Sequence, residues 1–346
     1  MYPFRTDNFA VRNGWYVVSF CQDLTQELRS RWLLNEALVM YRRENGEPVA
    51  LSGLCPHRFF PLAKSRRNHD NIICSYHGFA FNAEGACIDI PGQDNIPSTC
   101  KLRAYPVLDH GMWTWVWPGD PALADPALLP DLAEIGYEGE DVVAMPFYEH
   151  EIQARYQLLN DNLLDLSHLA YLHAGSIGVM ANATELEELT EGPGVIRSRR
   201  SMPASPAPPV VKATIGYEGL VDQSNGMDFY APGLHAGFSE MRLPEGQPDG
   251  GKVLRRAQVF HAVTPATTNT CYYFFGMSSV KGEQLAEMKE YLKTTVAEDI
   301  EASEAIEAAL KVTGDPAREV IKFSDRNMMR GRLLLQKMMD AEAGQA

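Results

Sequence analysis

The sequence has no apolar run approaching the roughly 18–20 residues that cross a bilayer. Its N-terminus, MYPFRTDNFAVRNGW, lacks a basic stretch leading into an apolar one and lacks a small-residue cleavage site. Together these absences predict a cytoplasmic chain with no membrane partner. Positive charge is scarce: 31 Lys and Arg stand against 45 Asp and Glu, for a net charge of −14. A protein that tracks phosphates shows the opposite balance over at least one domain. Arg197, Arg199 and Arg200 form only a short basic cluster, so nucleic acid is not an expected partner. There is no G-x-G-x-x-G fingerprint for a dinucleotide or flavin, no internal repeat and no low-complexity tract. Cysteine is sparse, with six in 346 residues. In a reducing compartment that excludes a disulfide framework and leaves metal binding or simple burial.

What is present fits a globular protein, 45% apolar and 22% charged, long enough for two cores. The first 120 or so residues alternate short β-branched and aromatic runs (GWYVVSF, WLLNEALVMYRR, EPVALSG, NIICSYHGFAFN, GMWTWVWPG) with Gly, Asn, Asp and Pro breaks. This spacing predicts an all-β antiparallel domain. The Pro- and Asp-rich GDPALADPALLPDLAEIG marks a boundary, giving domains over 1–138 and 139–346. In the second part, residues 153–173 and 285–311 and the last 20 residues read as helices. Residues 209–220, 226–230, 253–263 and 269–276 read as strands. The second domain is therefore expected to be α+β, with helices against an antiparallel sheet.

The most specific pattern is Cys55-Pro-His57, sixteen residues, then Cys74-Ser-Tyr-His77. Two Cys and two His satisfy a structural zinc or a [2Fe–2S] cluster that takes both thiolates on one iron and both imidazoles on the other. Finger-type zinc sites pair Cys with Cys and His with His. Here each segment supplies one of each, which suits two loops gripping a two-iron cluster. Pro56 stiffens the first loop and Gly78 allows close backbone in the second.

A second set lies in Asn162-Leu-Leu-Asp165-Leu-Ser-His168-Leu-Ala-Tyr-Leu-His173. On a helix, Asn162, Asp165 and His168 would follow one slowly drifting stripe, whereas His168 and His173 would stand about 140° apart. For these two histidines to share a metal, the chain must distort between them, by a π-type turn or a helix end. Two His and one carboxylate on one face of Fe(II) form the triad of non-haem oxygenases.

CPHR at 55–58, CSYHGFAFNAEG at 74–85 with Pro91 beyond, and D-x-x-H-x₄-H at 165–173 resemble the Rieske non-haem iron aromatic oxygenases. The resemblance extends over nearly the whole chain, from GWYVVSF to SDRNMMRGR. Length and motif details resemble the group of vanillate and dicamba O-demethylase oxygenase components, with NDNLLDLSHLAYLHAGSIG especially like the vanillate group. It implies Cys55 and Cys74 on one cluster iron and His57 and His77 on the other. It implies His168 and His173 as ligands of the mononuclear Fe(II), and a distant Asp as the third. Asp299 in AEDIEASEAIE is the best match, with Glu298 and Glu301 as competitors. Asp165 would be a carboxylate bonded to a ligand His, linking this site to a cluster His of a neighbouring subunit in a homotrimer. Asn162 would be a polar neighbour. O₂ would be co-substrate, and electrons would come from NADH through a separate reductase or ferredoxin.

The activity so implied is demethylation of a methoxylated aromatic acid in aromatic catabolism; the alternatives are ring hydroxylation or N- or methyl-group oxidation of another small molecule, and a Rieske electron-transfer protein without oxygenase chemistry. Among pocket residues His261, in QVFHAVTP, is the first candidate; Asn225, Tyr230 and Arg200 follow. Cys21, Cys87, Cys100 and Cys271 lack partner spacing and read as buried apolar side chains.

Overall fold

The computed structural model describes residues 2–5, 8–282, 284–315 and 319–344. It divides into two compact units whose chain segments interleave. One comprises Arg12–Leu129 with Thr264–Tyr272; the other comprises Met1–Val11, Pro130–Val263 and Tyr273–Ala346. The division differs from two consecutive stretches because a hairpin tip joins the first unit. There Leu34 and Asn35 donate backbone N–H groups to the carbonyls of Pro265 and Ala266, each at 3.0 Å.

The first unit is all β. Tyr16–Phe20, Trp113–Val116 and Val107–His110 form one sheet; Arg29–Leu33, Glu36–Arg42 and Pro48–Ser52 form a second. Four short strands, Arg66–Asn68, Asn71–Ile73, Ala80–Phe81 and Cys87–Asp89, form a third. Its core gathers Val39, Tyr41, Leu51, Leu62, Ile72 and Phe81, and both Cys55 and Cys74 are buried in it. In the proline-rich boundary, Asp120 and Asp125 accept the N–H groups of Ala122 and Ala127, starting 3₁₀ turns at Pro121 and Pro126.

The second unit is α+β. Its seven-stranded sheet runs Val142–Ile152, Thr270–Val280, Val253–Thr267, Leu234–Arg242, Leu220–Tyr230, Val195–Pro206, Glu188–Gly192. Helices Tyr156–Leu164, Leu285–Thr313 and Arg326–Ala343 accompany it. The strand expected over 209–220 is corrected: Pro209–Ile215 is a helix, and the strand starts only at Leu220. Val210 and Val211 suggest a strand, but Pro209 in the first turn and left-handed Gly216 after the last residue punctuate a helix. The helix expected over 153–173 is α-helical only from Tyr156 to Leu164. The final helix ends at Ala343, and residues 345 and 346 of that expectation lie outside the described residues.

One buried ion pair ties the start of the helix that leads into the second constellation to the long helix that bears Asp299. Arg155, just before Tyr156–Leu164, donates Nε to Glu307 Oε2 at 2.7 Å and a second bond to Oε1 at 3.3 Å. Glu307 lies two turns beyond Asp299 on the long helix and is fully buried. Removing one partner of such a pair leaves a buried charge, which costs about 3–5 kcal/mol. Glu307→Ala should lower unfolding stability toward the smaller figure, since Asp315 still contacts Arg155 at 2.8 Å; denaturant titration measures the loss.

Candidate metal centres

The two Cys–His segments fold into matching loops. Cys55 N–H donates to Phe60 O and Phe59 N–H returns to Cys55 O, at 2.9 and 2.8 Å. Cys74 N–H donates to Phe79 O and Gly78 N–H returns to Cys74 O, at 2.8 and 2.9 Å. The fifth residue of each loop has positive φ, +54° at Phe59 and +80° at Gly78. A Cβ on Gly78 would meet Pro91 Cγ at 2.8 Å, so that position needs glycine for both its φ and its space.

Both cysteines are 2% exposed, whereas His57 and His77 are exposed at the surface. The two imidazoles face each other with centroids 4.5 Å apart, and Phe79 stacks on His57 at 4.8 Å. Among the described residues, these four do not crowd to one point as a single ion requires; that criterion is met by His168, His173 and Asp299. The donor set, with thiolates inside and imidazoles outside, fits a two-iron cluster better than one zinc.

The remaining cysteines depart from expectation. Only Cys271 is fully buried, while Cys21, Cys87 and Cys100 are half-buried. The Cys87 thiol donates to Asp89 O at 3.6 Å, and burial, with the nearby Cys100 thiol, pushes its pKa up to about 12.

In the second unit the helix stops at Leu164. Asp165 leaves helical geometry (φ −104°, ψ 83°), and its carboxylate accepts Ser167 N–H at 3.0 Å, starting a 3₁₀ turn over Leu166–Ala170. Asn162, Asp165 and His168 therefore do not share one helical stripe. The chain turns again at Tyr171, between the two histidines, bringing their rings to 5.1 Å. A helix end, not a π turn, solves the five-residue spacing.

His168 Nδ1 donates to the backbone carbonyl of Asp165, not to its carboxylate, which lies 3.4 Å from Lys322 Nζ instead. His173 Nδ1 donates to Glu298 at 2.7 Å. With each Nδ1 engaged, both Nε2 atoms face Asp299 Oδ1, at 3.5 Å from His168 and 3.0 Å from His173. Burial pushes the Asp299 carboxyl up, but bonds to His168 and His173 outweigh this and hold it well below the usual range. Burial lowers the His173 pKa, and Asp299 and Glu298 together raise it past its ordinary value.

Glu298, weighed as a ligand, thus holds the far side of His173. Glu301 is exposed, and Glu298 and Asp299 alone of the three acids touch the histidines. Asn162 Nδ2 donates to Asp299 Oδ1 at 3.1 Å, and its own buried oxygen has no partner. Two imidazoles and a carboxylate converging within 4.8 Å form a donor set suited to a divalent iron.

These three residues line a largely apolar cavity of about 150 Å³. His261 lines it, bonded through Nδ1 to Tyr273 Oη at 2.6 Å, and burial lowers its pKa to about 4. Asn225 also lines it. Tyr230 and Arg200 do not belong to its wall: Tyr230 bonds Glu134 at 3.2 Å, and Arg200 bonds Glu185 O and pairs with Glu187 at 3.7 Å. Sequence reading missed Arg255 and Gln223 in the cavity wall. The signal for Arg255 was its even spacing from His261 on one strand.

Residues 14–106 match the Rieske [2Fe–2S] domain, and residues 152–341 match the vanillate O-demethylase oxygenase C-terminal domain. The iron–sulfur subunit of a toluene-4-sulfonate monooxygenase system from Comamonas testosteroni is 33% identical, covering 96% of this chain and 98% of its own. The oxygenase component of dicamba O-demethylase from Stenotrophomonas maltophilia is 31% identical, covering 96% and 99%. A crystal structure of dicamba monooxygenase bound to 3,6-dichlorosalicylic acid aligns with TM-score 0.85 at 30% identity, covering 96% of this chain and 98% of that one.

The chain belongs to the Rieske non-haem iron oxygenase family. Its particular combination is a Rieske domain followed by an oxygenase domain of the vanillate O-demethylase type, as the all-β then α+β reading of the sequence expected. No helix among the described residues is long and apolar enough to cross a membrane.

Proposed function

We propose that this chain is the oxygenase component of a monooxygenase that removes the methyl group of a methoxylated aromatic acid. The observation that carries this reading is the His168–His173–Asp299 set at the end of an apolar cavity sized for one aromatic ring. Cys55, Cys74, His57 and His77 would hold the [2Fe–2S] cluster, and the two histidines with Asp299 the mononuclear iron. When bound, that iron supplies O₂ activation. Overall, ArOCH₃, O₂, NADH and H⁺ give ArOH, formaldehyde, water and NAD⁺.

The chain's own groups do the positioning. The Asp165 carbonyl and the Glu298 carboxylate fix which nitrogen each imidazole presents. The apolar wall excludes water, and His261, kept neutral by burial and braced by Tyr273, offers a polar contact to substrate.

Relatives named as oxygenase components support a separate reductase or ferredoxin as electron donor. Electron transfer from a neighbouring subunit's cluster through Asp165 to the mononuclear site would make the assembly a ring, and a homotrimer is the form proposed. A second reading, oxidation of a ring methyl group, draws support from the toluene-4-sulfonate relative. Reconstitution with a Rieske-type reductase, NADH and vanillate should give formaldehyde stoichiometric with the phenol formed. NADH consumption without formaldehyde from any methoxylated acid would reject O-demethylation.

A further inference from the structure

Three basic residues lie where strands Leu234–Arg242 and Val253–Thr267 are joined, and two of them are satisfied. Arg242 Nε and Arg256 Nε bond Glu240 at 2.6 and 2.7 Å. Arg255 points to the other face of its strand, because successive side chains alternate. Arg255, Ala257, Val259 and His261 all line the cavity, so one face of Val253–Thr267 forms its wall. Arg255 is partly buried there, and its hydrogen bond is from Nη2 to the thioether of Met288 at 3.3 Å. Burial lowers its pKa, opposed only by Tyr291, and among the described residues no carboxylate pairs with it. A guanidinium set into an apolar wall without a counter-charge is costly unless something that enters the cavity completes it.

Its place along the cavity is set by the long helix. Met288 and Asp299 both line the cavity and stand eleven residues apart on Leu285–Thr313, about 16 Å at 1.5 Å per residue. Arg255 touches the Met288 end, whereas His261 lies at the Asp299 end, where Asp299, His168 and His173 act on it. Gln223, Met241 and Arg255 sit side by side across three strands. Gln223 and Asn225, two strands away, are 4% and 5% exposed, and each has a buried carboxamide oxygen without a partner. A methyl group at reacting distance, one benzene ring and a carboxylate in bidentate contact with a guanidinium span a comparable length.

We infer that Arg255 recognises the anionic group, carboxylate or sulfonate, of an aromatic substrate at the end of the cavity opposite His168, His173 and Asp299. This specifies the substrate class of the site proposed above and rests on that reading, but its test does not require turnover. Arg255 is a binding residue that sets specificity, with the carboxamide oxygens of Gln223 and Asn225 as acceptors for a hydroxyl on the ring.

The test uses the iron-replete oxygenase without O₂, titrated calorimetrically with 3-methoxybenzoate, its methyl ester and toluene-4-sulfonate. The wild-type protein should prefer the anions to the ester, and the tighter of the two anions identifies the source. Arg255→Met should weaken anion binding by about tenfold or more, while Arg255→Lys restores part of it. Both variants should keep three irons per chain, which separates lost recognition from lost folding. Equal loss for acid and ester, no preference in the wild type, or unchanged acid binding in Arg255→Met would each overturn the inference. Arg255-dependent acid binding in a protein that never yields formaldehyde would reject O-demethylation and leave the inference standing.

Discussion

Asp299→Ala protein should contain two irons and two sulfides per chain where the parent contains three irons and two sulfides. The reason lies in what each group contributes. His168 and His173 are neutral donors, and Asp299 is the single anion whose oxygen faces both Nε2 atoms. Without it, two imidazoles remain on an otherwise apolar wall, and two neutral ligands hold a hard divalent ion poorly. Glu298 cannot replace it, since its carboxylate is committed to the far nitrogen of His173.

The cluster loops close through their own backbone bonds and bury their cysteines in their own core, so cluster colour and sulfide should be retained. Formaldehyde release should fall below detection. Iron and acid-labile sulfide analysis, with the visible spectrum, decides the matter. Three irons in the variant would remove Asp299 from the site.

The parts of this protein that were legible in its sequence are those written in local spacing. The cluster residues are two short motifs, and the long helix is a 29-residue amphipathic run. The required break near His168 was legible as a geometric conflict, because a helix cannot present both histidines to one point. Its position was not. The helix ends at Leu164, four residues before His168 and so ahead of the expected interval, because Asp165 exchanges helical geometry for a bond to Ser167 N–H.

Other features depend on contacts distant in sequence. Glu298 looked like a competing ligand because adjacency on a helix does not say which residue faces inward. Arg200 and Tyr230 looked available for substrate until Glu187 and Glu134, from other segments, were seen to engage them. Arg255 drew no notice beside Arg256. What distinguishes them is that one has Glu240 across the sheet and the other has an apolar cavity.

Asp165→Asn should keep both metal centres and lose turnover, and the structure explains why such a clean separation is available. The bond that orients His168 comes from the main-chain carbonyl of Asp165, which the substitution does not touch. Asparagine retains an oxygen to accept Ser167 N–H, so the 3₁₀ turn and the helix end should survive. What disappears is the negative charge, beside Lys322 Nζ at 3.4 Å on a side chain 21% exposed. That partial exposure leaves the carboxylate open to a group from outside the chain, as the proposed link between subunits requires.

If Asp165 carries the link between centres, steady-state turnover should drop roughly 10- to 100-fold or more, with iron, sulfide and substrate affinity unchanged. A single-turnover experiment sharpens the reading. With the cluster pre-reduced and substrate bound, admitting O₂ should reoxidise it promptly in the parent and leave it reduced in the variant. Prompt reoxidation with normal product yield would mean that Asp165 is only the residue that ends the helix, and that electrons reach the mononuclear site by another route.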